Sequence, residues 1–301
     1  MKLLPLVLVA AMTAVGTASA QAANSRLDKI KATGEITLGY REAAIPFSYL
    51  NDKQQPVGYS MDICYGIADA VKKDLKLPAI KIKLVAVTPS TRIPLVANGT
   101  IDLSCGSATN TAQRQVQVSF APTTFVTATR FVALKKSHVN KLSDFKGKTV
   151  VSTAGTTNIR WLTQANQDEH LGMHIMSANE HPEAFLAVAN GRAKAFFMDD
   201  ILLAGLVANS HDPSQWMISK DAYTVEPYAI IEPKGDPQFK AAVDNAVKAM
   251  MKDGKIEALY KKWFTEPIPP KNINLNWPMT PEVKKVFAHP TDSPDPAVYK
   301  Q

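Results

Sequence analysis

The feature that most constrains the fold is an alternation of strand-like and helix-like segments that occurs twice along the chain. In the first series, ITLGYR, IKIKLVAV and IDLSCG have strand character, and MDICYGIADAVKKDL carries apolar residues at helical spacing. RIPLVANG predicts a short helix that ends at Gly99. A β-α-β-α-β run predicts a mainly parallel sheet flanked by helices, with ligand sites beyond the carboxyl ends of its strands.

The second series begins near residue 143 and has the same character. SDFKGKTVVSTAGTTNIRWLTQ predicts a strand, a Gly-Thr-Thr loop and a helix, and two further strand-helix units follow in MHIMSANEHPEAFLAVANG and RAKAFFMDDILLAGLVANS. The extended segments FVTATRFVALKK and YTVEPYAIIEP flank this series and are rich in β-branched and aromatic residues. We interpret them as crossings between two lobes, so that the chain builds lobe one, then lobe two, and returns to finish lobe one.

This interpretation predicts a division of the chain into four parts. The tail carries much proline and few apolar residues, so we expect it to wrap the surface. The predicted parts are a signal peptide over 1–20, lobe one over 25–128 and 227–266, lobe two over 129–226, and the tail over 267–301.

The first twenty residues, MKLLPLVLVAAMTAVGTASA, have a short positive start, an apolar run and a small-residue cleavage site. This pattern is typical of a secretory signal peptide that is removed. Pro5 interrupts the run, which is short for a membrane anchor, and no cysteine follows the cleavage site to take a lipid. We therefore predict a free, exported protein that is retained in a periplasm.

The chain has two cysteines, Cys64 and Cys105. In an oxidising compartment an isolated pair most often forms a structural bridge, which is what we predict. The alternative is two buried free thiols.

The formal net charge of +7 does not indicate a nucleic-acid partner, because the lysines are scattered over many segments rather than grouped with aromatic residues. A basic field favours small anions instead. Gly147-Lys148-Thr149 lacks the earlier glycine of a phosphate loop, and His170 and His174 lack a third metal ligand. No serine lies in a nucleophile-elbow motif. From these three observations we predict no metal, no cofactor and no catalytic residue.

Several stretches carry a resemblance to a known family. They are GYREAAIPFSY, PVGYSMDI, TRIPLVANGTIDLSCGSATNTAQR, LSDFKGKTVVSTAGTT, SANEHPEAF, GRAKAFFMDD and KWFTEPIPPKNINLN. In these the chain resembles the periplasmic solute-binding proteins of amino-acid ABC transporters, and more narrowly their glutamate/aspartate-binding branch. The resemblance implies an α/β, two-lobed type II binding-protein fold, in which two crossing segments join the lobes. It also implies a monomer without enzymatic activity that captures an acidic amino acid between the lobes and delivers it to a permease.

Arg92 suits the α-carboxylate of an amino acid, because a guanidinium holds both oxygens in a planar fork. The resemblance implies this role for Arg92, with help from Ser107, Thr109 and the loop that ends at Thr157. That loop opens a helix, whose N–H groups and dipole favour an anion. The alternatives are a surface ion pair for Arg92 and an ordinary capping turn for the loop.

Asp199 follows a buried-looking strand at its carboxyl end, where a binding carboxylate belongs. The resemblance implies that it binds the α-ammonium. The alternative is that Asp199 caps the next helix, which we assign to Asp200 instead.

Arg92 and Asp199 together neutralise an amino acid, and the resemblance places two further residues, Arg41 and His181, in the cleft. An unpaired arginine in a closed cleft costs several kcal/mol, so the site calls for another anion. A side-chain carboxylate supplies it, which predicts glutamate or aspartate as the ligand. Without the resemblance, we would interpret His181 as a helix cap or a solvated residue.

Two further assignments concern the walls of the site. Phe47 is the expected apolar wall over the ligand's methylenes, and its alternative is a place in the core. Related proteins carry a serine three residues before the arginine, where this chain has Pro89. Ser90 is therefore the expected substitute donor, and the preference between aspartate and glutamate stays open.

Two other functions remain as alternatives. An exported dehydratase of cyclic dicarboxylates resembles these binders and needs a proton donor, for which Glu42 is the candidate if burial raises its pKa. A binding subunit that passes occupancy to a receptor is the other alternative.

Overall fold

The computed structural model describes residues 25–300, and the predicted signal peptide lies outside them. The strands are β1 (Glu35–Tyr40), β2 (Ala43–Ala44), β3 (Ser48–Leu50), β4 (Pro56–Val57), β5 (Lys81–Ala86), β6 (Leu103–Cys105), β7 (Val118–Phe120), β8 (Phe125–Thr127), β9 (Thr129–Leu134), β10 (Thr149–Thr153), β11 (His174–Ala178), β12 (Phe196–Asp199), β13 (Trp216–Ile218), β14 (Glu226–Tyr228) and β15 (Ile231–Pro233). The helices are α1 (Arg26–Thr33), α2 (Tyr59–Asp74), α3 (Arg92–Ala97), α4 (Ala112–Gln115), α5 (Thr157–Asp168), α6 (His181–Ala189), α7 (Asp200–Asn209), α8 (Pro237–Lys252), α9 (Lys255–Tyr260) and α10 (Pro281–Ala288).

The first lobe is built on a five-stranded sheet in the order β5-β1-β6-β15-β7. β1 pairs in parallel with both β5 and β6, and Leu38 lies between Leu84 and Leu103 in the register. β15 is antiparallel to both of its neighbours, so four of the five strands run in one direction. The sheet is therefore mainly parallel, and the strand that opposes it arrives from the second half of the chain.

The second lobe repeats this plan in the order β11-β10-β12-β9-β13. β10 pairs in parallel with β11 and β12, and Val151 lies between Met176 and Phe196. β9 is antiparallel to β12 and β13, so one strand again opposes the other four. Phe131, Phe145 and Phe197 pack together in a separate apolar core of this lobe.

Two crossing segments join the lobes. β8 and β14 pair antiparallel as a two-stranded ribbon, with Phe125 opposite Tyr228. β8 runs on into β9 of the second sheet, and β14 runs on into β15 of the first. Each lobe thus receives its antiparallel strand from a crossing, and the predicted two-lobed α/β fold is confirmed.

Cys64 on α2 and Cys105 at the end of β6 form a disulfide, with 6.1 Å between their Cα atoms. The predicted bridge is therefore present, and the alternative of two free thiols is wrong. The bridge fastens α2 to the first sheet beneath the end of β6. Closing a loop with a sequence separation of 41 contributes about 3–4 kcal/mol to stability through the chain entropy of the unfolded state.

The tail beyond residue 267 lies against the first lobe and the crossing ribbon. α10 packs against α8 and β8, and the buried Tyr299 hydroxyl lies 2.9 Å from the Thr123 hydroxyl. Asn110 donates to the carbonyl of Asp292 at 2.8 Å. Among the helices of residues 25–300, none combines the length and apolarity needed to cross a bilayer.

Candidate functional site

A narrow cavity lies between the two lobes, at the carboxyl ends of strands from both sheets. Its lining is polar on both sides, with an apolar edge. The lining residues are Arg41, Pro89, Arg92, Ser107, Thr109, Thr156, Thr157, Asn158, His181, Met198, Asp199 and Leu202. Seven of the residues predicted for the site therefore meet here: Arg41, Arg92, Ser107, Thr109, Thr157, His181 and Asp199.

Arg92 is the first residue of α3 and its side chain is buried, with 2% of the residue exposed. Nη1 donates to the carbonyl of Ser107 at 2.9 Å, which aims the guanidinium at the cavity. Nε has no hydrogen-bond partner within residues 25–300. Burial, and then the charges of Arg114 and Arg41, hold the pKa of Arg92 well below its usual value. Since an arginine gives up its proton only with difficulty, this environment favours an anion beside it.

Arg41 follows β1 and is 1% exposed. Its backbone N–H donates to the Ser48 hydroxyl at 2.8 Å, which fixes the turn after the strand. Nη2 donates to the carboxylate of Glu180 on the second lobe, while Nε and Nη1 have no partner in the described part of the chain. Burial lowers the pKa of Arg41, and the charge of Glu180 opposes that shift.

The Glu180 contact corrects the charge count made from the sequence, in which Arg41 had no protein partner. Glu180 directly precedes α6, and its contact with Arg41 joins residues 139 apart in the sequence, so no local pattern indicates it. The arginine is therefore partly neutralised by the protein, and two of its three nitrogens remain available for hydrogen bonds.

Asp199 ends β12 and its carboxyl group is buried. It accepts hydrogen bonds from Asn158 Nδ2 at 2.6 Å and from the Tyr228 hydroxyl. Burial, and then the charge of Glu226, raise the pKa of Asp199 to about 8. A cation placed beside this carboxyl group would favour its ionised form and lower that pKa.

The alternative role of Asp199 as a helix cap does not fit its hydrogen bonds. Asp199 occupies the N-cap position of α7, but its side chain makes no capping hydrogen bond. Asp200, the predicted cap, is instead the first residue of α7, where it accepts the N–H of Ile201 at 2.8 Å and also binds Arg130 and Thr127. Asp200 thus holds the start of α7 and the crossing, while Asp199 faces the cavity.

His181 is the first residue of α6 and is buried. Its Nδ1 lies 2.9 Å from the Thr153 hydroxyl, and Nε2 has no partner in the described residues. Burial, and then the charges of Arg41 and Arg92, hold the pKa of His181 well below its usual value. A neutral imidazole therefore contributes a hydrogen-bonding nitrogen to the cavity and not a charge.

The hydroxyl groups of the site come from one loop in each lobe. Ser107 and Thr109 follow β6, and Thr157 opens α5, with 3.4 Å between the hydroxyls of Thr109 and Thr157 across the cavity. Thr157 also donates to Glu226 at 2.8 Å. Thr156 caps α5 by accepting the N–H of Ile159, so the helix N-terminus is ordered and faces the cavity.

Three predicted or considered residues lie outside the cavity lining. Ser90 is exposed, and its neighbour Pro89 lines the cavity in its place. Phe47 is buried in an aromatic cluster, with its ring 5.0 Å from Phe125 and 5.1 Å from Tyr228. Glu42, the proton donor of the enzyme alternative, is exposed and does not line the cavity.

A cavity between two α/β lobes on two crossing strands, with cations on one wall and a carboxyl group on the other, defines a ligand-capture protein of the two-lobed binding-protein class. The chain belongs to the bacterial extracellular solute-binding proteins, family 3, which match residues 36–266. The extracellular description of the family agrees with the predicted export.

Individual relatives support this assignment. The L-glutamate/L-aspartate-binding protein of Pseudomonas aeruginosa is 48% identical over 88% of both chains. The glutamate/aspartate import solute-binding protein of Escherichia coli K12 is 42% identical over 91% of both chains. A solved ancestral amino acid-binding protein, described as a precursor of cyclohexadienyl dehydratase, has a TM-score of 0.68 at 27% identity and covers 80% of this chain and 100% of its own. The family and these two curated relatives are named for binding and import, so the chain is a binding protein and not an enzyme.

Proposed function

We propose that this protein captures glutamate or aspartate in the interlobe cavity and delivers it to the permease of an ABC transporter. In this proposal the signal peptide is cleaved and the protein acts as a free periplasmic monomer without a lipid anchor. The likeness to the Pseudomonas and Escherichia coli relatives supports the ligand class. The observation that carries the proposal is that Arg41 and Arg92 line the same cavity opposite Asp199.

The geometry supports a specific assignment of the ligand's groups. The α-carboxylate pairs with Arg92, with the loop hydroxyls of Ser107 and Thr109, and with the backbone N–H of Thr157 at the start of α5, because the Thr157 hydroxyl proton is already donated to Glu226. The α-ammonium pairs with Asp199, whose Asn158 and Tyr228 contacts hold the carboxyl group in place. The side-chain carboxylate binds the remaining nitrogens of Arg41 and the Nε2 atom of His181, which have no partner within residues 25–300.

Calorimetric titration of the purified protein with glutamate, aspartate, glutamine and asparagine tests this assignment. We expect each acid to bind at least about a hundredfold more tightly than its amide, because an amide leaves a buried guanidinium without its anion. Equal affinities for acids and amides would contradict the proposed ligand class.

Ligand binding is proposed to close the two lobes, with lobe one over 25–128 and 227–266 and lobe two over 129–226. Contacts between the lobes support a closed form. Arg114 of the first lobe donates to the Thr109 carbonyl at 2.7 Å and to the Gly155 carbonyl of the second lobe at 3.1 Å. Gly155 also lies directly against Ser90, so closure depends on the missing side chain at position 155.

Gly155→Ala is therefore expected to oppose closure. A Cβ atom at position 155 would lie 2.7 Å from both Cα and Oγ of Ser90, closer than real Cβ contacts allow. We expect the variant to lose at least about tenfold in affinity for glutamate, and small-angle scattering to show less compaction on ligand addition. The matched control is Gly147→Ala in the same lobe, because Gly147 has a similar φ of +68° but no atom within 4 Å of its added Cβ. Equal losses in the two variants would assign the effect to backbone strain and not to closure.

A further inference from the structure

Glu180 lies at the N-cap of a helix, but its carboxylate does not cap that helix. It occupies the N-cap position of α6, with φ −135° and ψ 158°, where a side chain usually accepts an N–H of the first helical turn. Its side chain makes no such hydrogen bond. The carboxylate instead reaches the first lobe and binds Nη2 of Arg41.

The two members of this ion pair have different environments. The Arg41 side chain is 1% exposed, whereas the Glu180 side chain is 28% exposed. Glu180 therefore keeps part of its hydration while it supplies a negative charge to a buried cation. Its charge also opposes the effect of burial on the pKa of Arg41, so the contact favours the charged form of the arginine.

We propose that Glu180 is a specificity-determining residue, an internal carboxylate that shares Arg41 with the side-chain carboxylate of the ligand; this inference rests on the proposed function. A guanidinium has five N–H donors, and Glu180 engages Nη2 while Nε and Nη1 stay available. An acidic ligand then meets a cation that is already partly neutralised. A neutral ligand, in turn, does not leave Arg41 wholly without an anion.

Glu180 therefore narrows the discrimination between acids and amides. Removing its charge strengthens the attraction between Arg41 and an acidic ligand, and it also removes repulsion between two carboxylates. The same change makes a neutral ligand less favourable, because Arg41 would then be buried in the closed cavity with no counter-charge beside it. Both effects raise the ratio of the amide dissociation constant to the acid dissociation constant.

A purely mechanical role for Glu180 would have a different signature. If the contact with Arg41 served only to hold the lobes together, its loss would weaken closure for every ligand by the same factor. The ratio of dissociation constants would then stay constant while both affinities fell. The ratio therefore separates the two roles even if absolute affinities change.

The test is calorimetry of Glu180→Gln with glutamate and glutamine, and with aspartate and asparagine. Glutamine at position 180 keeps the reach and an acceptor for Arg41 Nη2 while it removes the charge. Because the Glu180 side chain is partly solvated, we expect the amide-to-acid ratio of dissociation constants to rise by about tenfold and not by the full effect of a buried pair. An unchanged or smaller ratio would overturn the proposal.

The matched control is Glu183→Gln on the same helix. Glu183 is exposed and accepts the N–H of Asn179 at 2.8 Å, so this variant removes the same charge without touching Arg41. We expect it to leave the ratio unchanged, and a similar rise in both variants would also overturn the proposal.

Wild-type protein that does not prefer the acids would overturn the proposed function itself, whereas a preference that Glu180→Gln leaves unmoved would overturn only the role of Glu180. Competition of each amide against bound glutamate gives the ratio if direct titration is too weak to fit.

Discussion

Arg92→Met is expected to weaken glutamate binding by about a thousandfold while the melting temperature of the ligand-free protein stays unchanged or rises. Truncating one partner of a buried, hydrogen-bonded charge pair typically costs 2–5 kcal/mol or more, and here the lost partner would be the anchor of the α-carboxylate. The unchanged or higher melting temperature has a separate cause, because methionine in place of Arg92 removes a buried charge. In the protein, Arg92 is buried beside the like charges of Arg41 and Arg114, and its Nε has no hydrogen-bond partner among the described residues.

Calorimetry and thermal unfolding of the same preparations check both halves of this prediction. The control is Arg192→Met, which removes an exposed arginine from the second lobe. It lowers the net charge equally, so it measures the contribution of the long-range field to anion binding. A fall in melting temperature with nearly intact affinity would show that Arg92 stabilises the fold and does not anchor the ligand.

The fold could be predicted because its pattern is local. Strands such as IKIKLVAV and helices such as MDICYGIADAVKKDL differ in hydrophobic period over a few residues, and two β-α-β series imply two sheets. The sequence alone did not reveal the direction of the strands that follow the crossings. β9 and β15 run against their sheets because each enters from the other lobe, and that is a property of the connection and not of residue composition.

For three site candidates, position along a strand or helix predicts the place in the fold, while the family resemblance implies the role. Asp199 ends β12, Thr157 opens α5 and Arg92 opens α3, so all three lie at the sheet edge that faces the other lobe. For Arg41 and His181 the family resemblance supplied the assignment. Ser90 illustrates the limit of counting along the chain, since one residue's shift in a turn places it outside the cavity lining and Pro89 inside it.

The supporting residues could not be predicted because their contacts are tertiary. Tyr228 reaches Asp199 from the crossing ribbon, Glu180 reaches Arg41 across 139 residues of sequence, and Arg114 joins the loops of both lobes. Asn158 follows the predicted loop directly, but its carboxyl partner lies 41 residues away. Such contacts decide the charge balance of the cavity, so a count of charges from the sequence alone left out the partners of its charged groups.

Glutamate binding is expected to strengthen by about tenfold or more between pH 6 and pH 8, with release of a proton, because of Asp199. In the closed structure, burial and the charge of Glu226 raise the pKa of Asp199 to about 8, so without a cation beside it the carboxyl group is largely protonated at pH 6. The ligand's ammonium favours the carboxylate and lowers that pKa in the complex. Binding must therefore expel the proton below about pH 8.

The raised pKa also means that Asp199 destabilises the ligand-free fold progressively as pH rises from about 4 to 8.

Asp199→Asn should remove this pH dependence, so its affinity should fall further below wild type at pH 8 than at pH 6, where the wild-type protein must first expel a proton. Calorimetry in two buffers of different ionisation enthalpy counts the released protons at each pH. Glu232→Gln is the matched control, because Glu232 is another buried carboxyl whose pKa is raised to about 8, in its case first by burial. Glu232 pairs with Lys240 outside the cavity lining, so its removal should change how stability varies with pH and leave the pH dependence of binding intact. If Asp199→Asn binds glutamate with the same pH dependence as wild type, the proton does not come from Asp199, and this carboxyl group is not the partner of the ammonium.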